Sequence, residues 1–304
     1  MDPIDPQTPT FLKLAARAVL AVGGPDRAAF LQGLITNDIG RVAPARAIHA
    51  AMLTPQGRIL DDFAIAALGD RFLFDVEAEG REALAKRLAT YRLRAKVAIE
   101  PCDGWIVAAL PGGAAIARLG LPAEPGAAMP AFGGVAFVDP RLPALGARLM
   151  APAAAADALL AAGWQPAGAA AYETMRLSLG VPEGRRDLAN ALPMENGFDA
   201  LNALDWKKGC YVGQEVTARM RYRGLVKKRL VPVRIAGAAP APGEIVTLDG
   251  DEAGEMRSSA GDRGLALLRL DKLAEAAARE ARFAAGGAAL DALPPAWLAA
   301  DEAG

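Results

Sequence analysis

Asp205-Trp206-Lys207-Lys208-Gly209-Cys210-Tyr211-Val212-Gly213-Gln214-Glu215 is the stretch on which the rest of the sequence turns. Two lysines stand just before a cysteine, and the glycines at 209 and 213 let the backbone turn sharply or approach a ligand closely. The spacing predicts a short helix over residues 213–220. Ammonium groups and a helix N-terminus both favour thiolate over thiol. Cys210 is then a nucleophile or a metal ligand, with Lys208 lowering its pKa and Gln214 and Glu215 orienting the loop. The Glu215 carboxylate works against the thiolate, or else it holds Lys208 in place. The competing reading makes Cys210 a small buried residue in a tight turn, since free cysteine is among the most buried residue types.

Upstream of that stretch, residues 187–205 read as loop, and residues 169–179 as a helix closed by Gly180 with Pro182 beyond it. Residues 111–168 are rich in Ala, Gly and Pro, with short strands near 135–138 and 147–150 and a helix over 152–162. Nearer the start, an apolar strand at 18–22 is broken by Gly23-Gly24-Pro25-Asp26. A helix carrying Phe30, Leu31 and Leu34 follows, and Thr36-Asn37-Asp38 stops it. Apolar runs at 48–53 and 59–68 flank the turn Thr54-Pro55-Gln56-Gly57, and 72–76 alternates, which predicts an antiparallel meander. A helix over 80–91 precedes strands at 96–99 and 105–110. Downstream, short apolar runs at 230–235, 244–248 and 265–270 alternate with Gly and Pro turns, the pattern of a small barrel or sandwich. From Leu273 the chain reads as helix and then as weakly ordered.

With 34 basic and 35 acidic residues in 304, the chain has no charge excess suited to direct nucleic-acid or membrane-surface binding. No run approaches the roughly 18 apolar residues of a membrane span, and residues 1–10 lack the basic and apolar segments of a secretory signal. Two cysteines and one histidine are too few for a structural zinc site or a resident iron–sulfur cluster, so no metal site is assigned. Cysteines this sparse look reduced, which implies a cytoplasmic protein. A monomer is expected. Cys102 reads as structural, and His49 as a core or pocket-wall residue.

Six segments then agree in order with one family. Lys208 to Glu215 resembles the K-G-C-Y-x-G-Q-E signature of the YgfZ family. Phe30-Leu31-Gln32-Gly33 with Thr36-Asn37-Asp38, Thr54-Pro55-Gln56-Gly57-Arg58, and Arg176-Leu177 with Gly180-Val181-Pro182 resemble its other blocks. Leu192-Pro193 with Glu195 precedes the signature, and Tyr222-Arg223-Gly224 with Lys228-Arg229 follows it.

The resemblance implies an α+β fold like the aminomethyltransferase of the glycine cleavage system. In that fold three subdomains ring a central folate pocket, and a small C-terminal β-barrel follows. Residues 1–225 would form two interwoven subdomains, about 1–100 and 101–225, and 226–304 the barrel domain. The implied ligand is tetrahydrofolate and the implied role is support of iron–sulfur cluster assembly or repair, including clusters of radical tRNA-modifying enzymes. Partners would be iron–sulfur client or assembly proteins. Folate would be held by Arg176 and Arg223 on its carboxylate tail, by Asn37, Asp38 and Gln56 on the pterin edge, and by Tyr211 or Tyr222 stacked on a ring. Gln214 and Glu215 complete that binding set. The transferase's folate-holding Glu is replaced by Ser178, whereas Asp61 and Asp62 match its catalytic acid segment. Cys210, Lys208, Asp61 and Asp62 are therefore the candidate catalytic residues. The alternatives are a folate-dependent aminomethyltransferase or demethylase, with an acid at 61 or 62 moving the proton, and a scaffold without chemistry.

Overall fold

The meander exists because its strands alternate, with one face apolar along their length. Ile48–Leu53, Ile59–Leu68 and Arg71–Glu77 lie in a five-stranded sheet completed by Arg17–Gly23 and Ala98–Pro101. Side chains alternate along a strand. Leu20, Ile48, Met52, Phe63, Ile65, Phe74 and Val76 point one way, into a core that the helices Arg27–Gln32 and Arg81–Arg92 close with Leu31, Leu84 and Leu88. Phe63 and Phe74 meet there edge to face, 5.1 Å between centroids. By the same alternation Arg17, His49, Asp62 and Asp75 fall together on the opposite face.

The structure is a computed structural model and describes residues 7–299. A second sheet has six strands, in the order Gln165–Pro166, Thr10–Lys13, Trp105–Leu110, Ala147–Pro152, Gly134–Val138, Ala128–Ala131. The helices Gly113–Leu119 and Ala155–Ala161 cover it through Ala115, Ile116, Ala155 and Leu159. Both sheets belong to one compact unit, formed by the described residues through Pro55 with Leu60–Tyr172 and Leu201–Val212.

A second unit comprises Gln56–Ile59, Glu173–Ala200 and the described residues from Gly213 onward. Its centre is a closed six-stranded barrel, Lys228–Ala236, Arg263–Arg269, Asp251–Ala260, Ile245–Leu248, Phe283–Ala285 and Ala288–Ala292. Val231, Val233, Ile235, Met256, Leu268, Phe283 and Leu290 fill it. At Gly254 the neighbouring strand leaves no room for a side chain: a Cβ there would lie 2.1 Å from the Leu267 carbonyl oxygen. No helix among the described residues is long and apolar enough to cross a membrane.

Two expectations fail here. Residues 187–205 are not plain loop, since the helix Gly184–Leu188 ends within them and a 3₁₀ turn, Met194–Asn196, lies inside. The chain after the helix Leu270–Arg279 is ordered too, because Phe283–Ala285 and Ala288–Ala292 supply the strands that close the barrel. Alanine-rich strands of three and five residues are too short to show a period of two.

Candidate functional site: a clasped loop with an exposed thiol

Asp205 starts the signature loop. Its Oδ1 accepts from the backbone N–H groups of Lys207 (2.8 Å) and Lys208 (3.0 Å), a turn that aims the Lys208 side chain inward. Lys208 Nζ then donates to three carbonyls, Gln32 (2.7 Å), Ile35 (2.6 Å) and Asn37 (2.8 Å). These lie at and just beyond the C-terminal end of the helix Arg27–Gln32, where carbonyls lack helical partners and favour a cation. Tyr211 lies beneath the same ammonium, with Nζ 5.1 Å from its ring centroid.

The Thr36-Asn37-Asp38 block is the other half of the clasp. Thr36 Oγ1 donates to the Ala203 carbonyl (2.7 Å) and accepts from the Ala51 N–H (2.8 Å). Asn37 Nδ2 donates to the His49 and Asn202 carbonyls, both at 2.8 Å, and its Oδ1 accepts from the Asp38 N–H (2.8 Å). Val212 N–H donates to the Gly33 carbonyl at 3.2 Å. Between these anchors Gly209 and Cys210 remain exposed, and Cys210 is a free thiol. The buried-residue reading of Cys210 is thereby excluded. Cys102 is a separate, half-buried free thiol whose pKa burial pushes up.

One expected role changes. Lys208 was assigned to activating Cys210, but all three of its donors are engaged on carbonyls. Burial pulls its pKa down to about 8, against the opposing pull of Asp38 and Asp205. Lys208 is the pin that fixes the loop.

In the second unit, the turn at Gln56-Gly57-Arg58 presses on the start of the helix Gln214–Tyr222. Gly57 has φ +76°, and a Cβ there would sit 2.8 Å from Val216 Cβ and 3.2 Å from the Gly213 carbonyl oxygen. Two of the sequence motifs are thus packed together where only glycine fits. Gln56, Glu215, Tyr222 and Arg223 are exposed, Gln214 is half-buried, and Glu215 pairs with Arg219.

Several of the residues assigned to folate are committed to other contacts. Arg176 is fully buried, with Nη1 donating to Asp187 Oδ2 and the Val181 carbonyl, each at 2.7 Å, and Nη2 to Glu173 Oε2 at 2.9 Å. Both Nη groups are taken by these partners, and the remaining Nε is enclosed in the protein, so the side chain presents no donor at the surface. Asn37 is fully engaged, as described above. Asp38 Oδ1 accepts from Gln32 Nε2 and the Gly40 N–H, each at 2.9 Å. Tyr211 is buried against Lys208. In the first unit the cavity beside Asn37, Arg41, Arg46, His49 and Asn202 holds about 190 Å³, below the roughly 300–1,000 Å³ of sites for drug-sized ligands. Of the assigned set, Gln56, Glu215, Tyr222 and Arg223 keep an exposed face. Ser178, at the position of the transferase's acid, caps its own helix by donating to the Thr174 carbonyl (2.7 Å).

The two candidate acids are committed as well. Asp61 pairs with Arg87. Asp62 belongs to a buried charge network that sequence reading missed, in which Arg17, Arg141 and Arg148 face Asp62, Asp75 and Asp139, with His49 beside them. Arg17 Nε donates to Asp75 Oδ1 (2.6 Å), Arg148 Nη1 to Asp75 Oδ2, Arg148 Nε to Asp139 Oδ2 (3.1 Å), and Arg141 Nη2 to Asp139 Oδ2 (2.8 Å). Arg17 Nη1 and His49 Nε2 stand 4.0 and 3.8 Å from the Asp62 carboxylate. The space among these residues is about 10 Å³, room for one water and not for a pterin. The available signal was ionisable residues inside apolar runs: Asp75 in Phe72-Leu73-Phe74-Asp75-Val76, and Arg148 in Ala147-Arg148-Leu149-Met150.

Burial alone would raise the Asp62 carboxyl, but His49, Arg17 and Arg141 outweigh it and hold the pKa at about 2. Asp139 is likewise held at about 2, burial being overcome by Arg141 and Arg148. Both values lie below the ordinary 3.8. The stability these carboxylates add is complete above the unfolded pKa and is lost as pH falls through the folded one, about 2 kcal/mol for each. The urea midpoint, followed by tryptophan fluorescence, is expected to hold from about pH 7 to 5 and to drop steeply below about pH 4. A midpoint that stays level down to about pH 2 would contradict the network's charge state.

Comparison with known proteins agrees with this architecture. Residues 15–120 match the GCVT N-terminal domain and residues 227–300 the CAF17 C-terminal beta-barrel domain. The glycine cleavage system aminomethyltransferase T from Bartonella henselae superposes with TM-score 0.74 at 16% identity, over 95% of this chain and 86% of that one. The fold is therefore the expected aminomethyltransferase-like one with a terminal barrel. The human iron-sulfur cluster assembly factor IBA57, mitochondrial, is 36% identical over 86% of this chain and 78% of its own length. The mouse protein of the same name is 36% identical over 90% and 81%, respectively. A homologue from Neurospora crassa is 34% identical over 78% of this chain and 58% of its own. The resemblance expected was to YgfZ, and the relatives found bear the IBA57 name. They are called assembly factors, in line with the expectation of an assembly factor on a transferase-like frame. The expected cytoplasmic location does not stand, because these relatives are named as mitochondrial proteins.

Proposed function

Since the chain belongs to the IBA57 family of iron–sulfur cluster assembly factors, we propose that it serves cluster assembly by lending Cys210 as a thiolate ligand to a cluster in passage. The observation that carries this reading is the exposure of Cys210 on a loop pinned by Lys208. A cluster takes about four protein ligands. With two cysteines, one of them half-buried, and one histidine, this chain offers one accessible thiol. The remaining ligands come from an iron–sulfur assembly protein or client docked against it.

In the ligation step the Cys210 thiol releases its proton to solvent and its sulfur donates an electron pair to an iron. No electron is transferred, and a recipient's thiolate reverses the step when the cluster leaves. A pinned loop lowers the cost of ordering the ligand. The likeness to the YgfZ signature supports radical tRNA-modifying enzymes as recipients.

The two candidate acids lend no support to an aminomethyl transfer, since Asp61 pairs with Arg87 and Asp62 is enclosed among Arg17, Arg141, Arg148 and His49. The test is the activity of an iron–sulfur enzyme in cells lacking this protein. Wild type restores it, and Cys210→Ala is expected to restore little. Full rescue by Cys210→Ala would remove the thiol step and leave a scaffold.

A further inference from the structure

The helix Arg81–Arg92 hands over to the strand Ala98–Pro101 through an unusual turn. The Ala95 N–H donates to the Arg92 carbonyl at 2.8 Å, closing a four-residue β-turn over Arg92-Leu93-Arg94-Ala95. Leu93 has φ 46° and ψ −108°. Those angles belong to the first central position of a type II′ turn, a place for glycine because a side chain is strained there. A bulky residue with positive φ is a true outlier.

Beyond the turn's own hydrogen bond, no burial of the Leu93 side chain offsets that strain among the described residues. Leu93 is 88% exposed, more than any other large apolar residue among the described residues. Tyr91 beside it is 42% exposed. Arg92 and Arg94 are exposed, and neither guanidinium has a partner among the described residues. Over residues 81–96 Arg81 and Arg87 are paired with Asp103 and Asp61, and Lys86, Arg92, Arg94 and Lys96 stand against one acid of the segment, Glu82. Backbone strain that persists without a packing return points to use at a surface.

We propose that residues 91–94 form a docking knuckle for an acidic protein. Leu93 inserts into an apolar pocket of the partner, Tyr91 packs on its wall, and Arg92 and Arg94 pair with carboxylates on its rim. Arginine and tyrosine are the residue types that dominate interface energetics, and an unpaired basic rim selects a negatively charged surface. The chain as a whole carries a net charge of -1, without the broad basic surface that a nucleic acid selects, which favours protein as the partner. Identifying the partner with the assembly protein that completes the cluster rests on the function proposed above; the knuckle itself does not.

Leu93→Gly separates the two possible roles of the residue, because glycine relieves the strain and removes the anchor together. Its melting temperature is expected to equal or exceed that of wild type, while rescue of the iron–sulfur enzyme in cells falls by about tenfold or more. Arg92→Glu with Arg94→Glu is expected to lose rescue equally while folding normally. With benzoyl-phenylalanine in place of Tyr91, light in living cells is expected to yield a ribonuclease-resistant adduct to one acidic protein, lost in both variants. A Leu93→Gly protein that melts lower than wild type, or that rescues fully, would overturn the knuckle, as would an adduct destroyed by ribonuclease. If Leu93→Gly rescues fully and Cys210→Ala does not, docking here fails and the thiol reading stands. If Cys210→Ala rescues fully and Leu93→Gly does not, the thiol reading fails and docking stands.

Discussion

Arg148→Met lowers the unfolding free energy by about 3–5 kcal/mol, the range for stripping one partner from a buried ion pair. Arg148 is the crosspiece of the network. Its Nη1 reaches Asp75, its Nε reaches Asp139 at 3.1 Å, and its Nη2 reaches the Tyr172 hydroxyl at 3.2 Å. Methionine fills much of the same volume, so the loss reports charge and hydrogen bonding more than packing. Three arginines against three aspartates become two against three, and the surplus negative charge is enclosed away from bulk solvent. Asp75 keeps Arg17, but Asp139 keeps only Arg141. Urea unfolding gives the number.

The same argument predicts non-additivity. Adding Asp75→Asn to Arg148→Met restores the balance at two against two, so the double variant loses less than the sum of the singles by about 1 kcal/mol or more. An exposed pair such as Arg269 and Asp271 serves as control, where loss of the arginine leaves stability unchanged. If Arg148→Met unfolds at the wild-type urea concentration, the network is ornamental and the acid sensitivity at Asp62 and Asp139 has another source.

What the sequence made legible follows from how local each signal is. The Thr54-Pro55-Gln56-Gly57 turn, the meander around it and the helix after Gly213 all announce themselves within ten residues, and all are present. The barrel's long strand Asp251–Ala260 does not, because Met256 is its one large apolar buried residue and the other buried positions, Ala253, Gly254 and Ser258, are small or polar. Unit boundaries are harder still, since the second unit takes in the turn Gln56–Ile59 and the segment Glu173–Ala200 from far along the chain. A division at a single residue near 225 has no means of expressing that.

The site was legible in identity more than in role. Cys210, Lys208, Asn37 and Thr36 were visible as motif residues, and the structure brings them to one loop. Their tasks depend on contacts at separations of about 170 residues, such as Lys208 Nζ on the Ile35 carbonyl. A lysine beside a cysteine in sequence suggests electrostatic help. Only the carbonyl cage reveals a pin.

Arg176 is the sharpest case of a role reassigned, and its removal is the second large effect. Arg176→Met is expected to cost about 3–5 kcal/mol. Asp187, fully buried, would keep only the Ser258 hydroxyl and the Glu183 N–H (2.9 Å), and the Val181 carbonyl would lose its donor. Because Ser258 sits in a barrel strand and Arg176 in the helix Ala169–Ser178, the loss loosens the packing of helix on barrel inside the second unit. Arg176→Lys retains the charge but not the fork, so one ammonium must serve Asp187, Glu173 and the carbonyl at once, and an intermediate loss follows. A ligand-binding arginine behaves otherwise: its replacement leaves unfolding untouched and abolishes binding. Calorimetric titration with tetrahydrofolate supplies the contrast. Wild type and Arg176→Lys are expected to give the same heats, whatever their size. A saturable heat in wild type that vanishes in a folded Arg176→Lys protein would return Arg176 to the carboxylate tail and overturn its assignment as the buried tie between helix and barrel.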